Sequence, residues 1–86
     1  MSKEVAVFVC SHVFEGARPI LLVSRADGDW QMLCGGAHEE TAVPQVVGLN
    51  HLLDRDPDLR ALLDLPPEWE AERAGGGTRW ERRPIE

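Results

Sequence analysis

The residues of this chain best suited to coordination or nucleophilic chemistry form two short groups, Cys10-Ser-His12 and Cys34-Gly-Gly-Ala-His38, with His51 apart from both. Thiolate and imidazole are the ligands that zinc takes in tetrahedral sites. A C-x-H and a C-x-x-x-H carried to one end of a sheet would therefore offer a Cys2His2 set of Cys10, His12, Cys34 and His38. The spacing matches no defined zinc module, and small buried cysteines also end strands for packing reasons alone. A different chemistry would pair Cys34 with His38 as nucleophile and base, with Glu39 or Glu40 orienting the imidazole. Three neighbours in one loop seldom reach that geometry, and a chain of 86 residues leaves little surface for a substrate pocket besides. The glycines of CGGAHEE read first as a strand exit that needs positive φ, and its acids as charge favouring a helix N-terminus. His51 falls on a helix flank.

The elements that must position these groups follow from the apolar pattern. Val5 to Val9 is a β-branched apolar run that suits a central strand, Glu15-Gly16-Ala17 is a turn, and Pro19 to Ser24 is a second strand. Asp27-Gly28 favours a tight hairpin returning into a third strand, Trp30 to Cys34. In a meander of the three, the first and third run the same way, which brings Cys10 and Cys34 to one end of the sheet. Pro44, with Glu39, Glu40 and Thr41 before it, marks the start of a helix from Val43 to Leu53, in which Gly48 costs about 1 kcal/mol relative to alanine. Asp56-Pro57 opens a second helix through Leu63, ended by Leu65-Pro-Pro67.

The segment WEAERAGGGTRWERRP reads as a hairpin turning at AGGG. Pairing Ala71 with Trp80 and Trp69 with Arg82 puts the indoles on one face and opposes Glu72 to Arg79 and Glu68 to Arg83 on the other. Glu70 against Glu81 is then the unfavourable pair, and Pro84 to Glu86 are expected to fray. The whole is expected to be a single α+β domain over residues 1–86, with a mainly antiparallel sheet in the order β-β-β-α-α-β-β and helices packed on one face.

Composition narrows the partners. A net charge of -6 and a pI near 4.9, without a basic stripe, oppose a phosphate backbone, so nucleic acid is not an expected partner. No apolar run reaches membrane-spanning length and no export signal is visible, so a cytoplasmic chain with reduced thiols is expected. Asp27, Asp29, Asp54, Asp56, Asp58 and Asp64 are turn and cap residues before they are calcium ligands, since the DRDPD run lacks the glycine and closing glutamate of a calcium loop. Phosphate loops, dinucleotide fingerprints and nucleophile elbows are absent from the sequence, and no catalytic role is assigned. Trp69 and Trp80 suit either the core or an interface anchor, as aromatics and arginines dominate both settings.

The stretch DGDWQMLCGG, followed by VVGLNHLLDRDPDLRALLDLPPEWEAER, resembles the immunity protein 33-like domain, a domain of short bacterial proteins. Arg25, Trp30, Gly35, Leu49, Asn50, Asp56, Pro57, Leu62 and the Glu72-Arg73 pair stand where that family's motifs stand. Cys34 and Gly36 depart from its serine or acid, which places the cysteine and histidine set outside the family pattern. The resemblance covers about two thirds of the chain. It implies a non-enzymatic protein-binding module that neutralises a toxin by direct contact, and Arg25 and Trp30 of its motifs join Trp69 and Trp80 as binding candidates. An acidic surface would suit a basic toxin domain. A small zinc-binding domain and a housekeeping protein without such a partner are the alternatives.

Overall fold

The computed structural model describes residues 5–35 and 44–85, which form an α+β fold on a six-stranded mixed sheet. Its strands are β1 (Ala6–Val9), β2 (Leu22–Ser24), β3 (Trp30–Leu33), β4 (Gln45–Gly48), β5 (Trp69–Glu72) and β6 (Glu81–Pro84). Two short helices, α1 (Ser11–Phe14) and α2 (Leu49–Arg55), and a 3-10 helix at Pro57–Leu62 complete it, with a 3-10 turn at Ala26–Gly28. The spatial order is β4-β1-β3-β2-β5-β6.

β1 alternates: Val7 and Val9 are fully buried while Ala6 and Phe8 point outward. The same face of the sheet supplies Met32, Val23 and Ala71, and it packs against Val13 of α1, Leu49, Leu52 and Leu53 of α2, and Leu59 and Leu62 of the 3-10 helix. Fully burying each of these valine, leucine and methionine side chains stabilises the fold by about 1.5–3 kcal/mol. Asp56 starts the 3-10 helix as expected, its carboxylate accepting from the Asp58 N–H at 3.2 Å with Pro57 next to it.

Several expectations are corrected. The sheet is mixed because β1 does not lie beside β2. The connection through α1 carries the chain past β3, so β1 and β3 pair in parallel, Val7 to Trp30 and Val9 to Met32. The helix expected from Val43 to Leu53 is instead a strand and then a helix. Gln45–Gly48 pairs antiparallel with β1, and Gly48, in extended conformation, is the residue before α2. Val46 and Val47 prefer the pleated surface, and their pairing satisfies N–H and C=O groups that β1 would otherwise leave open. The order is thus β-α-β-β-β-α-β-β apart from 3-10 segments. Val43, Glu39, Glu40 and Thr41 lie outside the described residues.

The C-terminal hairpin is slid two residues from the expected register: Trp69 faces Pro84, Glu70 faces Arg83 and Glu72 faces Glu81. A two-residue slip keeps every side chain on its face and changes only its partner. Its cause lies just beyond the last ladder pair, where Arg73 and Trp80 come opposite and the guanidinium stacks on the indole at 4.3 Å. Arg83 then bonds Glu70 at 2.6 Å and Glu72 at 3.2 Å. Pro84 belongs to β6 and Ile85 donates to the Glu68 carbonyl, so neither frays as expected. The β2–β3 connection is longer than a two-residue hairpin, though Asp27 and Gly28 do take positive φ, 57° and 81°, under the Asp29 N–H to Ala26 C=O bond.

Candidate metal centre

β1 ends at Val9, and Cys10 is the extended residue that starts α1, so His12 sits in the first turn above the strand end. β3 ends at Leu33, and because it runs parallel to β1, Cys34 leaves the sheet at the same end one strand over. Gly35 turns the chain there with φ 76°. The three ligand atoms of Cys10, His12 and Cys34 lie within 4.8 Å of one another. Cys34 Sγ is 3.6 Å from His12 Nδ1. Both thiols are buried, His12 is partly exposed, and no disulfide joins the cysteines.

Zinc–sulfur and zinc–nitrogen bonds of about 2.3 and 2.0–2.1 Å in a tetrahedron set sulfur and nitrogen about 3.6 Å apart. The Cys34–His12 separation equals that edge, and it also suits a thiol–imidazole hydrogen bond. The second thiol distinguishes the two arrangements: a hydrogen-bonded pair needs no Cys10 beside it, whereas a soft-metal site does. His38, the expected fourth ligand, lies outside the described residues, as do Gly36, Glu39 and Glu40. The histidine beside Cys34 among the described residues is His12, and no carboxylate belongs to this cluster. With Cys34 only 4% exposed, a substrate has little access to its sulfur. The arrangement suits holding an ion better than attacking a substrate.

The binding candidates are placed elsewhere. Arg25 stacks on Trp30 at 4.4 Å and donates to the carbonyls of Leu65 and Gly28, each at 2.9 Å. Trp30, Trp69 and Trp80 are partly buried and pack against the core, so their indoles hold strands together. His51 is exposed on α2, in keeping with its expected flank position.

One residue known from sequence only as part of a motif proves central. The Arg73 side chain is 1% exposed, its Nε donating to Ile20 C=O at 2.9 Å and its other nitrogens meeting Asp56 at 2.5 Å and Asp58 at 3.4 Å. Its sequence signal, Asp56-x-Asp58, was fully accounted for by helix capping.

Among the described residues no helix is long and apolar enough to cross a membrane. Comparison of the chain with models of protein families, with curated proteins and with solved structures finds no match. The cluster at the ends of β1 and β3 therefore has to be interpreted from its own chemistry.

Proposed function

We propose that this protein is a small zinc-binding domain whose ion is held by Cys10, His12 and Cys34, with His38 as fourth ligand. The observation that carries the proposal is the convergence of two thiols and an imidazole within 4.8 Å from two separate strand ends. His38 follows Cys34 by four residues, a tether of up to about 13 Å, long enough for its ring to return to the ion. Two thiolates and two neutral imidazoles would balance the charge of Zn2+ and close a tetrahedron, leaving no open position for substrate. The role is structural and non-enzymatic, pinning β1 to β3 where no hairpin joins them. A reducing compartment such as the cytoplasm keeps both thiols available as ligands.

Metal analysis of untagged protein purified with zinc in the medium tests this. One zinc per chain is expected, falling by more than tenfold in Cys34→Ser and His12→Ala, with His38→Ala weakening retention. Metal-free protein whose two thiols both titrate under native conditions would overturn it.

Binding to another protein, the role implied by the immunity-like resemblance, is the second reading. It is favoured by the exposed Phe8 and Val46 on the sheet face turned away from the helices. A basic toxin domain would be drawn by the net charge of -6. Affinity capture that returns no such partner from a host carrying one would set this reading aside.

A further inference from the structure

The turn that follows α1 and the C-terminal end of α2 enclose a cavity of about 310 Å³, and every residue lining it is among the described ones. Part of the lining is apolar, from Val13, Pro19, Ile20 and Leu52. Two guanidiniums, Arg18 and Arg55, line it as well.

Elsewhere Arg73, Arg82 and Arg83 pair with acids, and Arg25 is taken up by Trp30 and two carbonyls. Arg18 and Arg55 form no ion pair among the described residues. Arg55 is nevertheless held in place, its Nη1 donating to Val13 C=O at 3.3 Å and its Nη2 lying 2.9 Å from where a Cβ on residue 16 would stand. Gly16, at φ 73°, thus lets the guanidinium rest directly on the turn. Bonding the Val13 carbonyl accounts for one of its five N–H groups and leaves the rest of the fork for a ligand. Asp56 lines the cavity too, but one carboxylate oxygen is held by Arg73 and the other by the Asp58 N–H, so it does not compete for Arg18 and Arg55.

We infer that this cavity binds a small monocarboxylate with an apolar body, the carboxylate taken by Arg18 and Arg55 and the body laid against Val13, Ile20 and Leu52. A guanidinium fork matches the two oxygens of a carboxylate, and the apolar lining gives the rest of the ligand surface to cover. A second negative charge on the ligand would meet Asp56 and a chain of net charge -6, which disfavours a phosphate dianion. At about 310 Å³ the space lies at the bottom of the range of ligand pockets, about 300–1,000 Å³, which suits a short aliphatic or aromatic acid and not a nucleotide. Cys10, His12 and Cys34 do not line the cavity, so the inference stands apart from the zinc proposal.

Titration of isotope-labelled, zinc-replete protein with hexanoate and with benzoate, followed through the backbone amides by NMR, tests this. Saturable shifts are expected at residues 16–20 and 52–56, with Kd of about 0.1–2 mM. Acetate, which has the head without the body, should bind at least about tenfold more weakly. Arg18→Ala should weaken hexanoate about tenfold or more, as loss of a charged hydrogen-bond donor does. Arg55→Lys, which keeps the charge and gives up the fork, should weaken it as well, while Arg60→Ala, outside the cavity, should bind like wild type. Shifts that fail to saturate by about 20 mM, or that fall elsewhere on the chain, would overturn the inference. So would acetate binding as tightly as hexanoate, or phenyl phosphate binding tighter than both carboxylates. Binding that is unchanged in Arg18→Ala would overturn it too, marking an adventitious additive only.

Discussion

At the scale of the residue, Arg73 binds together parts of the chain far apart in sequence. Its guanidinium reaches the Ile20 carbonyl 53 positions away, the carboxylates of Asp56 and Asp58, and the face of Trp80. The planar fork suits all of these at once, and a lysine would satisfy one. Replacing Arg73 with Met should lower unfolding free energy by about 2 kcal/mol, below the ~3–5 kcal/mol of a fully enclosed pair, because Asp56 and Asp58 keep 24% and 56% of their side-chain exposure. Urea denaturation measures this, and Arg73→Lys should recover less than half of the loss. A loss under 0.5 kcal/mol would mean that the pairing adds little. None of this was legible locally. Asp56 was identified correctly as a cap, and it is one, but its other oxygen meets a cation 17 positions on that no spacing rule connects to it.

At the scale of the element, local pattern carried the reading until a neighbouring strand overrode it. VVGLNHLL has apolar residues spaced for a helix, and α2 does occupy its second half. The first half became β4 because β1 had an edge to fill, a requirement visible only once β1 is known to sit inside the sheet. The turn after α1 was legible from Gly16 because a positive φ leaves few other residues. At φ 73°, a Cβ there would also come 2.9 Å from Arg55 Nη2, the group beside the Nη1 that donates to Val13 C=O. Gly16→Ala should therefore cost about 1–2 kcal/mol in chemical denaturation, and Gly76→Ala, with open space around it and no positive φ, less than 0.5 kcal/mol. Equal costs would show that the crowding at Arg55 is relieved without penalty.

At the scale of the whole molecule, Cys10 and Cys34 were expected at one end of the sheet through a meander that does not exist. The conclusion survives because β1 and β3 run parallel whether separated by β2 or paired directly. If the site holds zinc, chelation should lower the melting temperature. At a zinc concentration 100-fold above Kd, binding contributes about 2.7 kcal/mol, roughly 10–20 °C for a domain of this size. Ligation needs neutral imidazoles and thiolates, so protons compete with the ion and the contribution falls as pH is lowered. Melting scans with and without EDTA at pH 7.5 and 5 check both; curves that coincide at pH 7.5 would remove the ion from the stability of the fold. The position of β1 also bears on synthesis. Val7 and Val9 are translated before β3 and well before β4, yet lie between them. At about 5–20 residues per second, the roughly 24 residues from Val9 to Leu33 take ~1–5 s to follow, during which a strand that ends up inside the sheet has neither neighbour, and β4 is complete only after ~2–8 s. A ribosome-associated chaperone would find AVFV exposed over that interval.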